Sequence, residues 1–335
     1  MAIPSNRVLK VDAARRVASS ENANQIIFVY IGILTLTSVL VAGINYCLGL
    51  QIAKTGGLSN MGLRSMLSTI QSVLPMLQGV LSMCLQMGYT AAMMRISRQQ
   101  YTSVHTLKLG FDRFWLLLRT AILQSCLYML ACIAAFWISA QVFLFTPMAD
   151  TAADIMAPAI ADGMLAMDIL LEEPLYSQLL QAMIPLFAIF GVLYLALLLP
   201  IAYGLRMVNY IIVDKPGLSA AAVLRESRKM MKGNRIRLVK LDLSLWLWYL
   251  LTVLTAVVGY GDSLLPMVGI ALPISGEAAY FLFYGISLAV QFALFVWLRN
   301  KVEVTYVQFY DHIRPKEQQA GVVLGNIFQL QEDNE

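Results

Sequence analysis

Charge is scarce in this 335-residue chain: Asp, Glu, Lys and Arg together make up 13% of it, about half the roughly 25% of an ordinary soluble protein. So few charges cannot cover a water-exposed surface, which excludes the two soluble domains that the length alone would suggest. Histidine is scarcer still. His105 and His312 are the only two and lie in different segments, which argues against a His-based metal site or catalytic triad within one chain. The four cysteines, Cys47, Cys84, Cys126 and Cys132, all fall in apolar stretches. None belongs to a C-x-x-C pair or stands near a His at ligand spacing, so they read as packing thiols. Phosphate-binding glycine loops, nucleophile elbows, H-E-x-x-H and EF-hand loops are missing too. The expectation is a non-enzymatic protein with no cofactor and no metal.

What the chain has in abundance is apolar length. Hydrophobic residues make up 59% of it. A bilayer core needs about 20 apolar residues per helix, and six stretches qualify: about 25-50, 66-94, 114-146, 176-205, 241-261 and 277-299. The first is too long for the 7–15-residue core of a signal peptide and lacks an A-x-A cleavage site, so it reads as a retained span. Pro75, Pro185 and Pro200 sit inside or at the ends of these runs, where neighbouring helices can satisfy the freed carbonyls. The fold expected is all-α: a polytopic membrane protein, a bundle of six transmembrane helices with a cytoplasmic basic amphipathic helix and an acidic outer loop. Residues 1-24 form a cytoplasmic N-terminal segment, 25-310 the transmembrane domain and 311-335 a polar cytoplasmic tail.

Orientation follows from the placement of Lys and Arg. Of 24 such residues, 22 fall in the N-terminal segment, in the two connections after the second and fourth spans, or at the C-terminal end. Only Lys54 and Arg64 lie in the alternate loops. Both termini are therefore expected on the cytoplasmic side. The connection from Phe145 to Tyr176 carries six acids, Asp150, Asp154, Asp162, Asp168, Glu172 and Glu173, and no base. It shows no clean apolar helical face and reads as an acidic extracytoplasmic cap or a solvated loop.

One cytoplasmic segment is patterned more sharply. Pro216-Gly217 make a turn, Ser219 can cap a helix over 219-232, and Gly233 can close it in the left-handed conformation. At 100° per residue Arg225, Arg228, Lys229 and Lys232 share one stripe, while Ala220, Val223, Leu224, Met230 and Met231 share the opposite arc. With Arg235, Arg237 and Lys240 this makes seven cations suited to anionic headgroups. The alternatives are that the apolar arc docks on the protein's own span ends while the cations enforce topology, or that a protein partner binds. Nucleic acid is not expected, because no aromatics interleave the cations.

The run Tyr210-Ile-Ile-Val-Asp-Lys-Pro-Gly-Leu-Ser-Ala, then Ser227-Arg-Lys-Met-Met-Lys-Gly-Asn-Arg and Leu241-Asp-Leu-Ser, resembles the signature of a bacterial integral-membrane family catalogued as domain of unknown function 975. Gly110-Phe-Asp-Arg-Phe114 and Tyr306-Val-Gln-Phe-Tyr310 resemble its pattern too, so the likeness covers most of residues 20 to 313. The family is similar in character to the membrane domains of some glycerophosphodiester phosphodiesterases. The resemblance implies a six-helix bacterial membrane protein and supplies no activity or catalytic residue. One departure is Val258-Gly-Tyr-Gly-Asp-Ser after span five, where the family pattern runs on into a Trp/Pro/Tyr-containing outer segment.

That stretch also resembles a potassium-channel filter, in which backbone carbonyls replace the ion's water. Val257 stands where the filter threonine would, and the span should cross from the basic side rather than dip in, so the sequence reads as a helix exit and turn. No charged residue lies mid-span. Arg119, Asp242, Arg299 and Glu303 lie near span ends, from which they are expected to snorkel to the interface. Amides such as Asn45, Gln71, Gln78, Gln86 and Gln291 are expected to pair across helices or to line a cavity. The function expected is organisation of anionic lipid or of a protein partner in the cell membrane through the basic helix. The alternative is a transporter, or membrane subunit of a transport complex, for an apolar or amphiphilic solute.

Overall fold

The computed structural model describes residues 4–54, 61–161, 173–267 and 276–314. Among them there is no strand. The helices are α1 (Asn6–Ser19), α2 (Ala23–Lys54), α3 (Met61–Ser97), α4 (Leu109–Asp112), α5 (Phe114–Phe143), α6 (Pro147–Ala161), α7 (Glu173–Leu205), α8 (Val208–Asp214), α9 (Ala220–Met231), α10 (Arg235–Ser244), α11 (Trp246–Gly259), α12 (Gly261–Met267), α13 (Gly276–Leu294) and α14 (Asn300–Ile313). A 3-10 turn at Val104–Lys108 precedes α4, and a π-helical turn at Phe295–Arg299 joins α13 to α14.

Five helical runs are long and apolar enough to cross a membrane: Ala23–Lys54, Gly62–Ser97, Phe114–Phe143, Ser177–Asp214 and Ala278–Ile313. A sixth is reached by joining α10 to α11 across a 65° bend. The bend falls inside the stretch read from sequence as the fifth span. The bend separates α10, which carries Arg235, Arg237, Lys240 and Asp242, from α11, which is wholly uncharged. Only α11 has the side chains that a bilayer interior accepts.

The chain forms two compact units, residues 119–206 and residues 1–118 with 207–335. In the first, α6 lies against α7. Phe143, Ala152, Ala182 and Leu186 form its buried cluster, flanked by Ala149, Ile155, Leu179 and Met183. The acidic connection therefore does have an apolar face, at Ala149, Ala152 and Ile155. It is narrow and built mostly of alanine, which explains why the sequence pattern did not show it. Asp162, Asp168 and Glu172 lie outside the described residues.

In the second unit α14 is buried on almost every side: Val302 and all of Val304–Tyr310 are covered. A helix with no exposed face belongs in a core, and α1, α3 and α8 supply that core's walls. The 3-10 turn and α4 cross α3 at unusually close range. A Cβ on Gly88 would overlap the Leu107 carbonyl, and one on Gly110 would overlap the Cys84 carbonyl. Glycine at both positions is what permits the crossing.

Candidate functional site

The basic segment folds as its sequence pattern predicts. Ser219 Oγ accepts a hydrogen bond from the Ala222 amide at 3.4 Å, and Gly233 closes the segment at φ +86°. On α9 the apolar arc is fully used inside the protein: Ala220, Val223, Leu224, Met230 and Met231 are buried, the helix lying on α8. The arc therefore docks on the protein itself, as one of the alternatives had it, and is not free to enter acyl chains. The cations are placed differently. Arg225, Arg228, Lys229, Lys232, Arg235, Arg237 and Lys240 are all exposed, and none makes an ion pair among the described residues. On α10 Ile236 is exposed between Arg235 and Arg237 and Leu243 is exposed after Lys240, and Trp246 and Leu247 are exposed at the start of α11.

Beneath this face lies an ion-paired joint. Arg98 donates to Asp214 at 2.7 Å and to Asp311 at 2.8 Å. Arg314 reaches Asp214 at 3.0 Å, and the Tyr310 hydroxyl donates to the same carboxylate at 2.9 Å. Burial disfavours the Arg98 charge, but its hydrogen bonds to Asp311 and Asp214 outweigh that and raise its pKa above the ordinary guanidinium value. Lys215 bridges to Glu226 at 3.1 Å and ties the Pro216-Gly217 turn to α9. Arg113, in the Gly110–Phe114 motif, donates to the Ile212 and Val213 carbonyls at the end of α8.

The charged residues near the span ends do not all behave as expected. Arg299 turns inward rather than out to an interface. It hydrogen-bonds to Gln86 and to the Tyr30 hydroxyl, and lies 5.1 Å over the Tyr30 ring, 5.4 Å over Tyr89 and 4.7 Å over Phe295. Contacts of this kind contribute about 0.5–2 kcal/mol each. Glu303 accepts from Tyr210 at 2.9 Å and from Thr90 at 3.3 Å. Asp242 accepts from Tyr306 at 2.5 Å. Tyrosine hydroxyls thus do what snorkelling would otherwise do. The missed signal was the tyrosines themselves: Tyr210, Tyr306 and Tyr310 stand inside the very motifs that carry the family resemblance.

The filter-like stretch is ordinary helix and turn. Gly259 ends α11, Tyr260 caps it, and α12 starts at Gly261, where the Phe283 ring occupies the space a side chain would need. The amides divide as expected between pairing and lining. Gln86 joins the Arg299 cluster and Gln78 donates to Ser38 Oγ at 2.7 Å, whereas Gln71, Gln78 and Gln291 line cavities between α2, α3 and α13. Among the described residues no group of His, Cys, Asp and Glu is arranged to hold a metal ion.

Among the described residues the chain is helical, with five helices, or six if the bent pair is one, long and apolar enough to cross a membrane. The chain belongs to the family described as Protein of unknown function (DUF975), which matches it over residues 5–317. No curated protein and no solved structure matches it.

Proposed function

We propose that this is a non-enzymatic membrane protein that organises anionic lipid at one membrane surface through Arg225, Arg228, Lys229, Lys232, Arg235, Arg237 and Lys240. The observation that carries this reading is the exposure of all seven cations, without ion-pair partners among the described residues, on α9, α10 and the turn between them, with α10 meeting the wholly apolar α11 at a 65° bend. Exposed Ile236, between Arg235 and Arg237, and exposed Leu243, one turn after Lys240, fit a helix lying along the headgroup boundary. α9, its apolar arc already occupied, contributes charge alone. Each cation near an anionic surface is worth about 1 kcal/mol. The bias of Lys and Arg supports placing this face, and both termini, on the cytoplasmic side of the membrane. Titration of the detergent-solubilised protein with phosphatidylglycerol tests the reading. Saturable binding that weakens with salt and is lost when Arg225, Arg228, Lys229 and Lys232 are changed to Glu supports it; equal binding of phosphatidylcholine contradicts it.

A second reading, passage of an amphiphilic solute, is favoured by one observation: the cavities lined by Gln71, Gln78 and Gln291 lie between helices of membrane length. Uptake of a fluorescent amphiphile by proteoliposomes above that of empty vesicles supports it, and equal uptake contradicts it.

A further inference from the structure

Where α1 packs on α14 there is a cleft of about 480 Å³, within the roughly 300–1,000 Å³ of small-molecule sites. Its charged lining is one-sided. Arg7, Arg15 and Arg16 come from α1 and His312 from α14, against Asp12. Asp12 is already committed: it accepts from Arg16 Nε and from Gln308 Nε2, each at 2.9 Å. Arg16 also donates to the Ser97 carbonyl, and Lys10, the remaining cation of α1, donates to the Ser244 carbonyl at 3.1 Å. Arg7 and Arg15 are different. Both are exposed, and neither has an ion-pair partner among the described residues.

The sequence of α1 puts these two arginines to the same side. Arg7, Val8, Val11 and Arg15 fall within about 100° of one another around the helix, and all four are exposed, Val8 by 55% and Val11 by 56%. On the other wall, His312 Nδ1 lies 2.7 Å from the Gln308 carbonyl. A carbonyl only accepts, so Nδ1 carries a proton there and Nε2 is the nitrogen turned to other uses. The cleft thus brings two arginine forks and an imidazole edge to one place, with aliphatic wall between the forks. Guanidinium forks match the oxygens of phosphate in pairs. A phosphate monoester has three such acceptor oxygens, one for each of the three donor groups. A bare phosphate would leave most of the cleft empty, whereas an ester brings an organic body to lie on Val8 and Val11.

We propose that this cleft binds a phosphate monoester, its oxygens held by Arg7, Arg15 and His312 and its organic body against Val8 and Val11. A soluble ester and a lipid headgroup offer the same chemistry, and two probes tell them apart. The test is calorimetric titration of the full chain in neutral detergent with glycerol 3-phosphate and with dioctanoyl phosphatidate. Saturable binding is expected: equal affinity for the two assigns the cleft to soluble esters, and preference for phosphatidate assigns it to a lipid. Arg7→Gln and Arg15→Gln should each weaken binding about tenfold, the size of a lost charge-assisted hydrogen bond, with the melting temperature unchanged. Val11→Trp, which fills the cleft from an exposed position, should remove binding. In the chain with Arg225, Arg228, Lys229 and Lys232 changed to Glu, monoester binding should persist and dioctanoyl phosphatidylglycerol, a diester, should not displace it, which separates this site from the basic face. No saturable binding of either monoester, displacement by the diester in that chain, or indifference to the arginine changes or to Val11→Trp would each overturn the proposal.

Discussion

Asp214 receives Arg98, Arg314 and the Tyr310 hydroxyl at once, and it ends the helix from which the basic segment departs. Its side chain is only 12% exposed and that of Arg98 13%, so removing either leaves the other buried with only part of its charge compensation, Arg314 and Tyr310 for Asp214 and Asp311 for Arg98. Breaking a buried pair from one side costs about 3–5 kcal/mol. Asp214→Asn should accordingly lower the melting temperature in detergent sharply. The double variant Arg98→Leu with Asp214→Asn should cost less than the two single changes added together. Strict additivity would mean that the pair is not coupled. Gly110 makes a second residue-scale case. Its missing side chain is what lets α4 cross α3, so Gly110→Ala should destabilise by at least about 1–3 kcal/mol, the usual penalty of overpacking. A thermal melt indistinguishable from that of the unaltered protein would contradict the close crossing. These residues give the family motifs a physical meaning. Gly110 and Arg113, Tyr210 and Asp214, Asp242, Tyr306 and Tyr310 come from separate stretches of sequence, yet each takes part in closing the same buried end of one unit. The motifs read as a structural joint.

At the scale of elements, legibility followed the strength of the local pattern. The long apolar runs stand out because nothing else in a sequence resembles 20 consecutive uncharged residues. The basic helix was readable to the residue, since Ser219, Gly233 and the two arcs each leave a local signature. Three things were not. The bend at Leu245 lies within a continuous apolar count and is marked only by the charges on its N-terminal side. The face of α6 rests on small alanines. The inward turn of Arg299 depends on Tyr30, Tyr89 and Gln86, which stand more than 200 residues away along the chain and which no local pattern connects to it. The two sides of α9 make opposite predictions. Met231 is fully buried, so Met231→Asp should cost several kcal/mol and loosen the helix from α8, visible as faster amide exchange over 220–231. Changing Arg225, Arg228, Lys229 and Lys232 to Glu removes no contact, and the melting temperature should stay close to that of the unaltered protein. A large loss of stability on reversing the stripe would show that the cations are part of the fold, and would remove them as a free surface.

For the whole molecule, the division of labour is between a tyrosine-rich, ion-paired core that holds several membrane-length helices at one end and an exposed basic face carried on that core. The core needs no partner to satisfy its charges, because each carboxylate in it meets an arginine or a tyrosine. The face is the opposite: seven cations with no acid among the described residues to meet them. Native mass spectrometry of the protein gently extracted from its own membrane tests that contrast most directly. Our account predicts a stoichiometric anionic lipid on the unaltered protein, absent once Arg225, Arg228, Lys229 and Lys232 are changed to Glu. A protein that carries no anionic lipid, or that carries the same lipid after the reversal, would contradict it.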